Sequence, residues 1–274
     1  MKISVIIPSY RPQAYLWTCL DALRAQTLPA ADWEVCIVLN GPKDDYQAQI
    51  EKYIAAYSAY RWRLQYSARA GVSNARNLGL QMAQGDYVCF IDDDDYVSPA
   101  YLESLLALAE SSKTPLMPLS NVLCFHDGTQ EFYEDHLGAA YRRIQNKDVV
   151  RVMQVRSFLS TPVAKIVRRE YALAERFDPH FANGEDALYM FALSRFYRQY
   201  CAADPTAVYY RRVRPQSARH QLTRRLATML PLMAAYLGTW LRHPWRYSFP
   251  FLLSRFVAIP KGIWDMYRAQ GRSK

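Results

Sequence analysis

Four consecutive aspartates, Asp92 to Asp95, follow an apolar run from Tyr87 to Ile91 and precede Tyr96, Val97, Ser98 and Pro99. Adjacent carboxylates repel one another, and at the mouth of a buried strand their proton affinity rises unless a cation sits between them. Holding a hard divalent ion is the chemistry such a cluster offers. A solvated charge run is the alternative reading, but such runs seldom interrupt a sequence as apolar as YVCFI followed by YVSP. An EF-hand calcium loop is excluded, because its sixth position needs glycine and here that position, counted from Asp92, is Val97. A second acidic pair, Glu185 and Asp186, follows Gly184 and stands before an apolar helical stretch, Ala187 to Tyr197. Acids in a first helical turn are ordinary capping residues, and the residues alone favour that reading. The five histidines never fall at i, i+2 or i, i+4 spacing, which argues against a histidine metal site.

The elements that must position these acids are legible in the first hundred residues. Ile3 to Ile7 reads as a buried strand, with Pro8, Ser9 and Tyr10 carrying the chain off its end, followed by a helical pattern of Tyr15, Leu16, Cys19, Leu20 and Leu23. Trp33 to Leu39 repeats the strand signal, stops at Asn40, Gly41 and Pro42, and is followed by a helical stretch from Tyr46 to Tyr60. Trp62 to Tyr66 is a shorter strand candidate, and GVSNARNLGLQMAQG leads as a helix into the Tyr87 strand. Strands alternating with helices at this spacing predict a doubly wound, mostly parallel sheet, whose ligands bind outside the carboxyl ends of the strands. Tyr10, Asn40 and Asp92 to Asp95 all lie at such ends. Neither GxGxxG after the first strand nor GxxxxGK with Ser or Thr occurs, so a nucleotide would have to be held by other means. Residues 115 to 163 show no clean period.

At 274 residues and 51% hydrophobic, the chain can build one sizeable α/β domain with an appendage. The five cysteines are odd in number, scattered and embedded in apolar stretches, which fits reduced core thiols and a cytosolic setting. The apolar run before Pro8 is too short for a signal-peptide core. The net charge of +9 is unevenly distributed: from Arg211 onward thirteen Lys and Arg face a single acid, Asp265. The body is mildly acidic and the end of the chain strongly basic, as expected of a terminal segment seeking an anionic partner.

Four ordered segments, VIIPSYRP, RAGVSNARNLGL, GDYVCFIDDDDYVSP and FANGEDALYMF, together resemble the motifs of glycosyltransferase family 2, which has the GT-A fold. The resemblance runs from residue 1 to about 215 and takes in KIVRREYALAERFDP and YYRRVRPQSA. It implies a GT-A domain over 1–215, with a nucleotide-sugar half at 1–100 and an acceptor half at 101–215, and a basic aromatic helical tail over 216–274. It implies an inverting transfer of a sugar from a nucleotide diphosphate donor, UDP-linked, to a hydroxyl of a glycan or lipid-linked acceptor, in bacterial surface polysaccharide or lipopolysaccharide assembly. By the same resemblance Tyr10 stacks on the base with Pro8 shaping the turn, and Arg76 and Asn77 lie near the nucleotide. Asn40 stands where the family has an aspartate, and its amide can still pair with the base imide. Asp94 becomes the direct ligand of Mg²⁺ or Mn²⁺, with Asp92 and Asp93 toward ribose or metal-bound water. Asp186 becomes the general base, assisted by Glu185.

Leu226 to Leu241 is uncharged for sixteen residues but contains Pro231 and Gly238 and is too short to span a hydrocarbon core of about 30 Å. Beyond it, Trp240, Trp245, Tyr247, Phe249, Trp264 and Tyr267 alternate with Arg242, Arg246, Arg255, Lys261 and Arg268. Aromatic rings interleaved with cations suit a peripheral attachment at the cytoplasmic face of a membrane. A helical subdomain packed on the body fits the same residues, and nucleic-acid binding is a weaker third reading, since no accompanying motif is present. Two non-enzymatic alternatives stand beside the transferase: a nucleotide-sugar or glycan-binding relative without chemistry, and a basic interaction protein.

Overall fold

The structure, a computed structural model, describes residues 1–129, 131–214 and 222–271. The expected boundary at 215/216, and the PQSA end of the YYRRVRPQSA stretch, lie outside the described residues. Its centre is a five-stranded sheet of order β3-β2-β1-β4-β9, formed by β1 (Ile3–Ser9), β2 (Trp33–Asn40), β3 (Trp62–Ser67), β4 (Tyr87–Phe90) and β9 (Ile166–Arg168). β1 pairs in parallel with β2 and β4, and β2 with β3; β9 joins the edge of β4 antiparallel. Every residue of β1, β2 and β4 is buried, as continuous apolar runs in a parallel sheet covered on both faces require. Helices α1 (Ala14–Arg24), α2 (Tyr46–Ala56) and α3 (Val72–Met82) provide crossovers, and α1 buries Leu16, Cys19, Leu20 and Leu23 on its inner stripe.

Pro8 departs from the expectation of a turn: it lies inside β1, opposite Val38 of β2. The strand tolerates it because of which way its missing donor would point. Ile6 accepts from the Ile91 N–H on the β4 side, and Pro8, two residues on, faces that same side beyond the last β1–β4 pair, Ile6 with Phe90.

The second half contains β5 (Tyr96–Val97), α4 (Tyr101–Glu110), β6 (Leu116–Leu119), β7 (Asn121–His126), β8 (Phe132–Tyr133), α5 (His136–Ile144), α6 (Arg169–Leu173), α7 (Glu185–Leu193), β10 (Gln199–Ala202) and β11 (Val208–Val213). β5, β11, β7 and β8 make a second sheet in that order, and β10 pairs with β6. The period missing from 115–163 reflects short strands of mixed direction, yet α5 carries a readable signal. Asp135 caps it by accepting from the N–H groups of Leu137 and Gly138, and Leu137, Ala140, Tyr141 and Ile144 form its buried stripe.

The basic end of the chain forms two helices, α8 (Leu222–Arg242) and α9 (Phe249–Gly271), which pack on each other and both reach α7. Phe191 of α7 is enclosed by Tyr236, Tyr247 and Phe251, with ring centroids 5.2, 4.9 and 5.5 Å away. Packing on the body thus accounts for part of the aromatic content. Among the described residues no helix is long and apolar enough to cross a membrane. All five cysteines are free and buried.

Candidate active site

Because β1, β2 and β4 run parallel, their carboxyl ends meet at one edge, and side chains there bind one strand end to the next. The Asn40 amide donates to the Ser9 carbonyl at 2.7 Å and accepts from the Gly71 N–H at 2.9 Å. Ser9 Oγ donates to Asp93 Oδ2 at 2.7 Å. Gly41 adopts φ of +90°, and a Cβ there would lie 2.5 Å from the Tyr10 ring, so only glycine lets this turn pass beneath the aromatic. The ring itself is 48% exposed, which excludes a packed core tyrosine and leaves a face open at the sheet edge.

The four aspartates divide into separate tasks. Asp95 is buried: it accepts from the Tyr209 hydroxyl at 2.7 Å and from the Arg212 N–H at 2.7 Å, fastening the turn after β4 to β11. Burial holds its proton affinity well above the usual carboxylate range. Asp92 accepts from Arg76 Nη2 at 2.9 Å. Asp94 Oδ2 lies 2.7 Å from Arg214 Nη2, while Arg212 Nε donates to the Asp94 carbonyl at 2.9 Å. Asp93 is pushed up to about 7 by burial, against the Ser9 hydrogen bond and with its neighbours Asp94 and Asp92 adding to the rise. Burial and Asp92 raise Asp94 as well, opposed by Arg214.

Arg76, on α3 and only 3% exposed, links the two acidic motifs: its Nη1 donates to Asp186 Oδ1 at 2.5 Å while Nη2 holds Asp92. Residues 110 apart in sequence are thereby brought to one point. Glu185 and Asp186 form the first turn of α7 rather than preceding it, and Gly184 opens that helix at φ of +90°. Burial raises the proton affinity of Asp186, offset by Arg76, and pushes Glu185 up to about 7, with Asp186 adding to the shift. Glu185 Oε2 is buried without a hydrogen-bond partner among the described residues. Lys165, next to β9 and fully buried, donates to the Thr161 and Val163 carbonyls; burial lowers it to about 7.

Asn77 sits away from this cluster. Its amide exchanges hydrogen bonds with the backbone of Phe177, at 2.8 and 3.0 Å, and so braces α3 against the segment leading to α7. The residues that sequence reasoning left without a role are Tyr209, Arg212 and Arg214, all within or just after β11. YYRRV carries no alternating signal that could have marked them; the pleat sets Tyr209 and Arg212 on opposite faces, and only the pairing of β11 beside β5 brings both to the aspartates.

A cavity of about 1340 Å³ opens from Asp92, Asp94 and Asp186 toward α5 and α9. A second, of about 460 Å³, lies behind Glu185 and Asp186 against Leu232, Tyr236 and Arg255. Among the described residues no three His, Cys, Asp or Glu side chains are clustered so as to hold a metal by themselves. The donor set instead fits an ion that takes one or two protein carboxylates and completes its shell with ligand oxygens and water. Asp93 and Asp94 offer hard oxygens in a crowded, partly buried setting where a cation relieves repulsion.

A parallel sheet of this order with acids gathered at its carboxyl edge defines a GT-A-like α/β protein, and the comparisons with known proteins sharpen that. Residues 4–173 match the family model "Glycosyl transferase family 2", and the chain belongs to that family. YibD of Escherichia coli, described as an uncharacterized glycosyltransferase, is 36% identical over 126 residues, 46% of this chain and 36% of that protein. TarS of Staphylococcus aureus, a poly(ribitol-phosphate) beta-N-acetylglucosaminyltransferase, is 29% identical over 117 residues, 43% of this chain and 20% of TarS. These matches thus span about a third or less of each relative. The solved structure of TarS residues 1–349 in complex with UDP-GlcNAc superimposes with a TM-score of 0.68 at 21% identity, covering 86% of this chain and 67% of that one. A mannosyltransferase from Pyrobaculum calidifontis, in complex with GDP-Man and Mn²⁺, gives a TM-score of 0.62 at 15% identity, covering 99% and 74%. These likenesses establish the GT-A fold.

Proposed function

We propose that the protein is an inverting glycosyltransferase that moves a sugar from a nucleotide diphosphate donor, UDP-linked, to a hydroxyl of a glycan or lipid-linked acceptor in bacterial surface polysaccharide assembly. The observation that carries this reading is the Arg76 bridge, which brings Asp92 and Asp186 together at the wall of one large cavity. TarS, complexed with UDP-GlcNAc, supports the donor class, and a name that places it on a polymer supports the acceptor class.

In this proposal Tyr10 stacks on the base above Gly41. Asn40, whose amide already serves Ser9 and Gly71, shapes the base shelf through the backbone rather than bonding the base, and Asn77 likewise positions α3. Asp94 and Asp93 would hold a Mg²⁺ or Mn²⁺ ion, which would supply charge neutralisation for the leaving diphosphate. Arg214, 2.7 Å from Asp94, places a guanidinium where it can pair with the donor phosphates. Asp186 takes the proton of the acceptor hydroxyl on Oδ2, since Oδ1 is held by Arg76. The acceptor oxygen then attacks the anomeric carbon as its bond to the diphosphate breaks, from the opposite face, and the configuration inverts. Glu185, with one oxygen unpartnered, accepts from an acceptor or donor hydroxyl.

The division into a catalytic domain at 1–215 and a helical tail at 216–274 belongs to the same proposal. On that tail Trp245 is 93% exposed and Leu241, Phe249 and Leu253 are exposed beside Arg242 and Arg246, which supports peripheral contact with an anionic membrane. Flotation with phosphatidylglycerol vesicles, lost on combining Leu241→Ser and Trp245→Ser, tests it; unchanged flotation rejects it. The catalytic reading is tested by calorimetry with UDP, with and without Mn²⁺, and by transfer assays. Metal-dependent UDP binding abolished in Asp94→Ala supports it. Transfer at the wild-type rate in Asp186→Asn would remove the base.

A further inference from the structure

The larger cavity is lined by both acids and bases, and the bases differ in whether an acid accompanies them. Besides Asp92, Asp94 and Asp186, its lining includes the end of α5, the 152–160 segment and α9, which bring Arg143, Lys147, Arg156, Arg255 and Lys261. Three other arginines around the cavity are matched by acids, Arg211 with Asp135, Arg212 with Asp127 and Arg214 with Asp94. Among the described residues none of these five is within ion-pair distance of a carboxylate.

Arg255 is the informative member. It is 6% exposed, stacks its guanidinium over Phe251 at 4.4 Å, and donates to Ser160 Oγ at 2.8 Å and to the Arg156 carbonyl at 2.7 Å. Its Nε is buried with no partner among the described residues. Burial works against its positive charge, Tyr236 offsets part of that and Arg156 adds to it, so among the described residues two neighbouring cations stand here without a carboxylate partner. A buried cation without a counter-ion is costly, and the arrangement is relieved by an anion entering from the cavity. Arg255 lines both cavities, and each of them also touches Asp186.

We propose that Arg255, Arg156 and Lys261 form an acceptor subsite for a phosphate group, so that the sugar acceptor is a phosphorylated glycan or glycolipid whose hydroxyl is presented to Asp186. A tetrahedral oxyanion offers three or more oxygens to donors arriving from two separate segments, whereas a carboxylate offers two, and guanidinium groups match phosphate with paired hydrogen bonds. The assignment of Asp186 as the base comes from the proposed function above, on which this inference rests.

The test uses the full chain without divalent metal and titrates inorganic phosphate by calorimetry and thermal shift. Wild type binds phosphate; combining Arg156→Gln with Lys261→Gln, both exposed positions, weakens binding roughly tenfold or more, the loss expected for two charge-assisted hydrogen bonds. Arg255→Lys, which keeps the charge but not the fork, weakens phosphate binding while UDP binding with Mn²⁺ stays within about twofold in every variant, as expected of independent sites. Absence of phosphate binding in wild type, or equal binding in wild type and variants, overturns the subsite. Loss of UDP binding in wild type would refute the donor site alone, since the phosphate titration is read independently. Competition by soluble glycerol phosphate assigns the phosphate to a soluble glycan. Competition by phosphatidylglycerol vesicles, but not by phosphatidylcholine vesicles or glycerol phosphate, assigns it to a lipid headgroup.

Discussion

Removing Arg76 is the most demanding test of the site as a single unit. Replacing it with Met keeps the volume and deletes the guanidinium that holds Asp92 at 2.9 Å and Asp186 at 2.5 Å. The variant leaves two carboxylates facing each other in a site where Arg76 was 3% exposed. Breaking a fully buried pair by removing one partner costs about 3–5 kcal/mol; Asp92 and Asp186 keep 37% and 25% side-chain exposure, so the loss here is expected at about 2–3 kcal/mol. For a chain of this size that is a fall in melting temperature on the order of 10 °C. Part of the loss is the stranding of Asp186, so Asp186→Asn made on top of Arg76→Met should recover some of it. The coupling in the double-mutant cycle is expected at about 1–3 kcal/mol, within the range for residues in direct contact. Urea unfolding of the four proteins at one pH, without metal, measures it. Strict additivity, or a loss below about 1 kcal/mol for Arg76→Met, would show that the bridge does not hold the two motifs together.

Three further outcomes follow from single contacts. Tyr10→Ala should weaken UDP binding by roughly 1–3 kcal/mol, the range for base–aromatic stacking, while leaving unfolding midpoints unchanged because the ring is exposed; calorimetry reads the first and denaturant titration the second. Asp95→Ala should lower stability by about 1–3 kcal/mol or more, since the Tyr209 hydroxyl and the Arg212 N–H lose their shared acceptor, a cost that thermal melts would detect and that an exposed, purely ligand-facing aspartate would not show. Lys165 is lowered by burial from 10.5 to about 7, so between those values the unfolded chain binds more protons and this residue makes stability rise with pH through that window; the slope should flatten in Lys165→Met, and identical slopes would refute it.

Much of the sheet was readable from residue order because β1, β2 and β4 are short apolar runs that a parallel sheet buries on both faces; these strands and the half-buried edge strand β3 appear at the expected places. Pro8 shows the limit of local reading: proline suggests a turn, but the neighbouring strand ends before its missing N–H is needed. The side chains of Asn40 and Asn77 show another, since an amide suited to a ligand is equally suited to bracing backbone, and only the positions of Ser9, Gly71 and Phe177 decide between them.

Residue order alone determined that carboxylates would gather at the carboxyl edge of a parallel sheet, because strand periodicity and crossover length dictate which ends coincide. It could not divide four identical aspartates among their tasks, nor bring Asp186 to Arg76 or Arg255 to the cavity wall. Those outcomes depend on the antiparallel return of β11 past β5 and on the docking of α7, α8 and α9, contacts between segments far apart in sequence whose strength comes from the surfaces they bury together.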